Sequence, residues 1–140
     1  MSNKLIIIPA RKGSKGLPNK NKLSLGNIPL IQWSINHALE CFPEFDLLIS
    51  TDDLDIIKMC NDFEIQYQRR DDALASDTAL MIDVLANSLK FYEETNNKQI
   101  DEIILLQPTF PFRSKDDSIG FKNLINCSDF DNIISVIKVN

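Results

Sequence analysis

Residues 5–21 read Leu5-Ile6-Ile7-Ile8-Pro9-Ala10-Arg11-Lys12-Gly13-Ser14-Lys15-Gly16-Leu17-Pro18-Asn19-Lys20-Asn21. The opening is an unbroken apolar run rich in β-branched isoleucine, the pattern of a short strand buried on both faces of a sheet. The second half changes character at once. Arg11, Lys12, Lys15 and Lys20 gather positive charge in a chain whose formal net charge is −5. Gly13 and Gly16 permit a tight turn and a close backbone approach to a ligand, and Ser14 adds a hydroxyl. Free amides and several cations at the carboxyl end of a buried strand suit a polyphosphate. The competing reading is a solvated basic loop; the glycine pair and the position after a buried strand favour phosphate. Two familiar phosphate patterns are absent. Gly16 is followed by Leu17-Pro18 rather than Lys-Ser/Thr, which rules out a P-loop, and no Gly-x-Gly-x-x-Gly series occurs.

With 140 residues the chain is read as one domain, 1–140, long enough to bury a core. Its 44% apolar and 25% charged content is that of an ordinary globular protein. The acidic balance argues against a general nucleic-acid binder. Apolar runs such as Ile103–Leu106 are too short to span a bilayer, and no charged-then-apolar leader precedes the first strand. The expectation is a cytoplasmic protein without membrane contact. Cys41, Cys60 and Cys127 fit neither a disulfide framework nor a zinc pattern and are read as small core residues.

Further along, Leu30 to Phe42 recur at helical spacing, with Pro29 suited to the first turn and Pro43 as the stop. On this helix His37 is read as a partly exposed imidazole and Trp33 as packing. Phe45–Ser50 is a second strand, and Leu54–Asp62 a helix that Asp52 could cap. Glu64–Gln68 is a third strand, and Leu80 to Tyr92 form an amphipathic helix preceded by the cap types Ser76, Asp77 and Thr78. A fourth strand, Ile100–Leu106, ends at Gln107-Pro108-Thr109-Phe110-Pro111, where two prolines forbid continuation. A helix over about Lys115–Cys127 and a strand over Asn132–Val139 complete the series. Alternating strands and helices predict a parallel sheet with helices on both faces and right-handed crossovers. In such sheets ligands bind at the carboxyl ends of the strands. Residues 10–21, Thr51-Asp52, Arg70 onward and Gln107–Arg113 all fall there.

The run Pro9-Ala10-Arg11-Lys12-Gly13-Ser14-Lys15-Gly16-Leu17-Pro18-Asn19-Lys20-Asn21 closely resembles the nucleotide loop of the acylneuraminate (sialic acid) cytidylyltransferases. The related Kdo cytidylyltransferases have an Arg where Lys15 stands and no Gly after it. Ser50-Thr51-Asp52, Arg70 with Leu74-Ala75-Ser76-Asp77-Thr78-Ala79, and Leu105 to Thr109 with Pro111 and Arg113 resemble further blocks of that family, in its order. The resemblance implies a three-layer, Rossmann-like nucleotide-diphospho-sugar transferase fold. It implies transfer of CMP from CTP to the anomeric hydroxyl of a sialic-acid-like nonulosonic acid, with release of pyrophosphate and with Mg²⁺ as cofactor. Arg11, Lys15 and Lys20 would neutralise the triphosphate, aided by the amides of Gly13, Ser14 and Gly16. Asn21 and Arg70 would read cytosine, and Ala10, Asp52 and Ser76 would also belong to the nucleotide site. Gln107, Pro108 and Thr109 would face the sugar acid.

Three departures accompany the resemblance. Met81 stands where many members carry a small hydroxyl residue, and Phe110 replaces the usual Ser after Gln-Pro-Thr, leaving the precise sugar open. The family continues past the equivalent of Asn140 into a part that carries the dimerisation arm and the metal-binding Asp pair; within this chain Asp52 is only a weak metal candidate. The expectation is therefore the nucleotide-binding portion of a homodimeric enzyme, binding CTP weakly and turning over poorly or not at all. The alternatives are an inactive nucleotide-binding or assembly module, and a related sugar nucleotidyltransferase using another base or sugar.

Overall fold

The computed structural model describes residues 2–127 and 131–136. At its centre is β1 (Lys4–Pro9), buried at every position. It pairs in parallel with β4 (Asp46–Thr51) on one side and β6 (Glu102–Leu105) on the other, and β5 (Tyr67–Arg69) extends the sheet beyond β4. The order is β5-β4-β1-β6. The chain winds outward from β1 through β4 to β5 and then returns to place β6 on the far side of β1. The gap above β1 and β6 is therefore the topological switch point, where loops leaving adjacent strands part and leave a crevice.

The side-chain alternation of β1 supplies both faces. Ile6, Ile8 and Ala10 join Ile31, Ile35 and Ala38 of α1 (Leu30–Cys41) and Phe42 at its C-cap, Ile56 and Cys60 of α2 (Leu54–Asp62), and Phe121 and Ile125 of α5 (Lys115–Cys127). Leu5, Ile7 and Leu48 meet Leu85, Leu89 and Tyr92 of α4 (Met81–Asn96) on the other face. This is the expected three-layer, Rossmann-like arrangement.

Several boundaries differ from the sequence expectations. β4 is displaced by one residue from the expected Phe45–Ser50, and β5 and β6 are shorter than the expected Glu64–Gln68 and Ile100–Leu106. The N-cap of α2 is not Asp52 but Asp53, whose carboxylate accepts from the amide of Asp55. Pro29 precedes the first helical residue as N-cap of α1 and belongs to a small antiparallel hairpin, β2 (Ser24–Leu25) with β3 (Ile28–Pro29). Gly26 turns this hairpin at φ 68°, and Trp33 packs over it, donating to the Leu25 carbonyl. Asp71 and Asp72 open a single-turn helix, α3 (Asp72–Ala75). The strand expected over Asn132–Val139 is not formed at 132–136, and the rest of that range lies outside the described residues. His37 is buried, not partly exposed, with Nε2 2.7 Å from the Ser118 hydroxyl of α5. Of the cysteines only Cys60 is buried, and that burial pushes its thiol up to about 11; Cys41 is half-buried and Cys127 exposed. No helix among the described residues is long and apolar enough to cross a membrane.

Candidate active site

The loop after β1 is held from below. The buried Thr51 hydroxyl at the end of β4 donates to the Ala10 carbonyl at 2.5 Å and accepts from the Asp53 amide at 3.0 Å. Asp52 turns the other way and accepts from the Lys12 amide at 2.6 Å. Asn21 closes the loop's far end by donating to the Arg11 carbonyl at 3.1 Å. Next to it Lys22 pairs with both Asp53 and Asp55, which anchors the 3₁₀ turn Lys20–Lys22 to the start of α2.

Neither Gly13 nor Gly16 adopts a left-handed φ, and a Cβ added at either would meet nothing within 4 Å. Gly16 lies in a bend of the chain over residues 15–17, and the left-handed residue of the loop is Asn19, at φ 55°. What the two glycines leave is open space beside the backbone. That space is what a bulky anion needs to approach main-chain amides.

Arg70 follows β5 and lies beneath the crevice, 5% exposed. Its Nη2 donates to the Ser50 carbonyl at 2.9 Å, Nε to the Ser50 hydroxyl at 3.3 Å and Nη1 to the Leu74 carbonyl at 3.4 Å. Three of its five N–H groups are thus committed, leaving two for a ligand. Burial lowers its pKa, the Asp52 charge opposes that shift, and the Arg11 charge adds to it. Behind it, the Gln68 carboxamide accepts from the Ser88 hydroxyl at 2.7 Å and from the Ser50 hydroxyl at 3.4 Å. This buried network keeps the guanidinium's supports aligned.

The third wall follows β6. Arg113 donates to the Gln107 carbonyl at 2.7 Å and to the Ser34 hydroxyl at 3.0 Å, folding residues 107–113 back onto α1. The outcome is a crevice of about 130 Å³. Arg11, Gly13, Ser14, Lys20 and Asn21 line it from the first loop, Arg70 and Met81 from below, and Gln107, Pro108 and Thr109 from the far side.

Some expected site residues stand elsewhere. Ala10 is buried under the loop, and Ser76 turns its hydroxyl to the Ala73 carbonyl. Asp52 lines a wider hollow, which shares Gly13 and Ser14 with the crevice and also takes in Lys12. Lys15 is exposed and sits 4.0 Å from Asp77. In the sequence Asp77 stands as a helix-cap type within a family-like block and carries no site role, yet it pairs with Arg11, and α4 starts after Leu80 with no side-chain cap. A contact spanning 66 residues has no local signature. As for a metal, no group of three His, Cys, Asp or Glu side chains converges among the described residues, and one Asp52 oxygen is taken up by an amide. These residues do not of themselves make a magnesium site.

An open parallel sheet with a cationic loop and a buried arginine lining the crevice at its switch point defines a Rossmann-like α/β domain with an anion-suited site. The cytidylyltransferase family model matches residues 5–118, and the chain belongs to that family. It is 35% identical over 137 residues to an N-acylneuraminate cytidylyltransferase of Streptococcus agalactiae, covering 96% of this chain and 32% of that protein. It is 37% identical over 114 residues to a CMP-N,N'-diacetyllegionaminic acid synthase of Legionella pneumophila, covering 78% and 47%. Among solved structures, a CMP:2-keto-3-deoxy-manno-octonic acid synthetase complexed with CTP superposes with a TM-score of 0.69 at 24% identity, over 90% of this chain and 48% of that one. The chain thus spans about a third of the length of its streptococcal relative.

Proposed function

We propose that this chain supplies the nucleotide-binding portion of an enzyme that transfers CMP from CTP to the anomeric hydroxyl of a nonulosonic acid. In that reaction the sugar hydroxyl oxygen bonds to the α-phosphorus and gives up its proton to water, the bond to the oxygen bridging to the β-phosphate breaks, and pyrophosphate leaves. Such a displacement is accelerated chiefly by alignment and by neutralising charge on the triphosphate. Arg11, Lys15 and Lys20 supply the charge, and the amides of Gly13, Ser14 and Gly16 supply further donors. Arg70 and Asn21 take the base: the two spare guanidinium N–H groups suit the adjacent O2 and N3 acceptors of cytosine, whereas uracil presents a donor at N3. Gln107, Pro108 and Thr109 face the sugar acid. Magnesium enters this reading only with the triphosphate. The family resemblance supports a homodimer working in the cytoplasm.

The observation that carries the proposal is the convergence of Arg11, Arg70 and Gln107, from three separate loops, on one crevice at the β1/β6 switch point. The names of the relatives point to N-acylneuraminate-like and legionaminate-like acids as the sugar. Amide NMR tests the reading residue by residue. CTP should shift the signals of Gly13, Ser14, Gly16 and Arg70, and a nonulosonic acid added afterwards should shift Gln107 and Thr109. Shifts confined to other surfaces, or none at saturating CTP, would overturn it.

A further inference from the structure

Asp77 faces the two cations that the nucleotide reading gives to phosphate. Its Oδ1 lies 2.5 Å from Arg11 Nη1, and its Oδ2 lies 4.0 Å from Lys15 Nζ. One anion shared between a guanidinium and an ammonium is the arrangement a phosphate oxygen would adopt at the same two groups. The carboxylate reaches them from the connection between α3 and α4, and that connection is braced by other bonds. Ser76 Oγ donates to the Ala73 carbonyl at 2.9 Å and lies 3.3 Å from the Thr78 hydroxyl, while the Ala79 amide returns to the Ser76 carbonyl. The loop cations, rather than the turn, are what the Asp77 carboxylate serves.

The contact is also breakable. The side chains of Arg11, Asp77 and Lys15 are 31%, 41% and 75% exposed, and ion pairs so close to water are screened and weak. A triphosphate carrying several negative charges can displace a single carboxylate from such a position.

We propose that Asp77 is an internal counter-anion of the phosphate loop. It neutralises Arg11 and Lys15 while no polyphosphate is present, yields them to an incoming triphosphate, and takes them back as pyrophosphate departs. This rests on the assignment of Arg11 and Lys15 to phosphate. Affinity for polyphosphate is then set below what the cations alone would give, and the leaving group is helped out of the site. If Asp77 served only to pin the loop, removing it would loosen the cations and weaken binding, so the two roles differ in sign.

Calorimetric titration with inorganic tripolyphosphate, CTP and cytidine at low ionic strength separates them. The proteins compared are the native chain, Asp77→Asn, and Asp72→Asn, which makes the same charge change on the neighbouring α3. Asp77→Asn should bind tripolyphosphate and CTP about three- to tenfold more tightly, the scale of one weak exposed ion-pair contact. Asp72→Asn should change either by less than about twofold, and cytidine binding should be unchanged in both. Unaltered or weaker tripolyphosphate binding by Asp77→Asn, or an equal gain in Asp72→Asn, would overturn the inference. If tripolyphosphate binding tightens as stated but CTP binds no better than tripolyphosphate and cytidine does not bind, the cytidine reading fails while the role of Asp77 stands.

Discussion

The hydroxyl of Thr51 donates to the carbonyl of Ala10, 41 residues earlier in the chain, across 2.5 Å. Through this bond the end of β4 fixes the point at which the cationic loop leaves β1. The same oxygen accepts the Asp53 amide, so one buried group sets both the loop and the start of α2. Loop placement is thereby a property of the sheet, and sheet stability and ligand binding should respond together when the bond is removed.

Thr51→Val tests this, because valine keeps the shape and removes the hydroxyl. It leaves the Ala10 carbonyl and the Asp53 amide without this partner, at a cost of about 1–3 kcal/mol. Urea denaturation should show a lower midpoint with an unchanged slope. A variant as stable as the native chain would contradict the bracing role.

Gly13→Ala should behave in the opposite way. A Cβ there meets nothing within 4 Å and no left-handed φ has to be kept, so stability should hold or rise by about 0.4–1 kcal/mol through the unfolded chain. The new methyl group nevertheless fills the space beside the loop amides, and CTP affinity should fall about tenfold, equivalent to about 1.4 kcal/mol. Denaturation and titration on the same sample check both halves. Affinity equal to the native chain's would show that no ligand lies against Gly13.

His37 gives the fold a pH dependence whose sign follows from its surroundings. Burial lowers its pKa from 6.5, the Arg113 charge adds to this, and Glu40 opposes it. Its other neighbours are the Ser118 hydroxyl at 2.7 Å and the Cys41 sulfur at 3.8 Å. With the folded pKa below the unfolded one, the unfolded chain takes up the proton first. The contribution to stability is therefore complete above about pH 6.5 and is lost as pH falls through the folded pKa. Melting temperatures of the native chain and His37→Asn across pH 8 to 5 should converge as the pH drops. A difference that stays constant over that range would contradict the assignment.

Much of this was legible in the chain itself. Four consecutive apolar residues, Leu5–Ile8, marked the central strand, and the helical spacing of Leu30 to Phe42 marked α1. Lys115–Cys127 and Leu54–Asp62 were read to the residue. The crevice followed from topology, since loops after β1 and β6 must part at the switch point. What escaped notice rests on contacts between distant parts of the chain. Asp77 looks like any cap residue until Arg11 is folded next to it, and the burial of His37 depends on α5 arriving 81 residues later. The choice between Asp52 and Asp53 as cap turned on one residue of phase, which helix periodicity does not resolve. The glycine pair was legible from composition, because the missing side chains at Gly13 and Gly16 are themselves what leaves space beside the loop backbone.

The central claim is that the crevice above β1 and β6 is a cytidine nucleotide site. A thermal-shift titration with CTP, UTP, ATP and GTP, each with and without Mg²⁺, tests it most directly, because a ligand of the native state raises its melting temperature. At a hundred times the dissociation constant the gain is about 2.7 kcal/mol, a shift of several degrees for a domain of this size. A shift with CTP well above that with the other three is the result this account predicts. Equal shifts with all four nucleotides, or none from a chain that melts cooperatively, would contradict it.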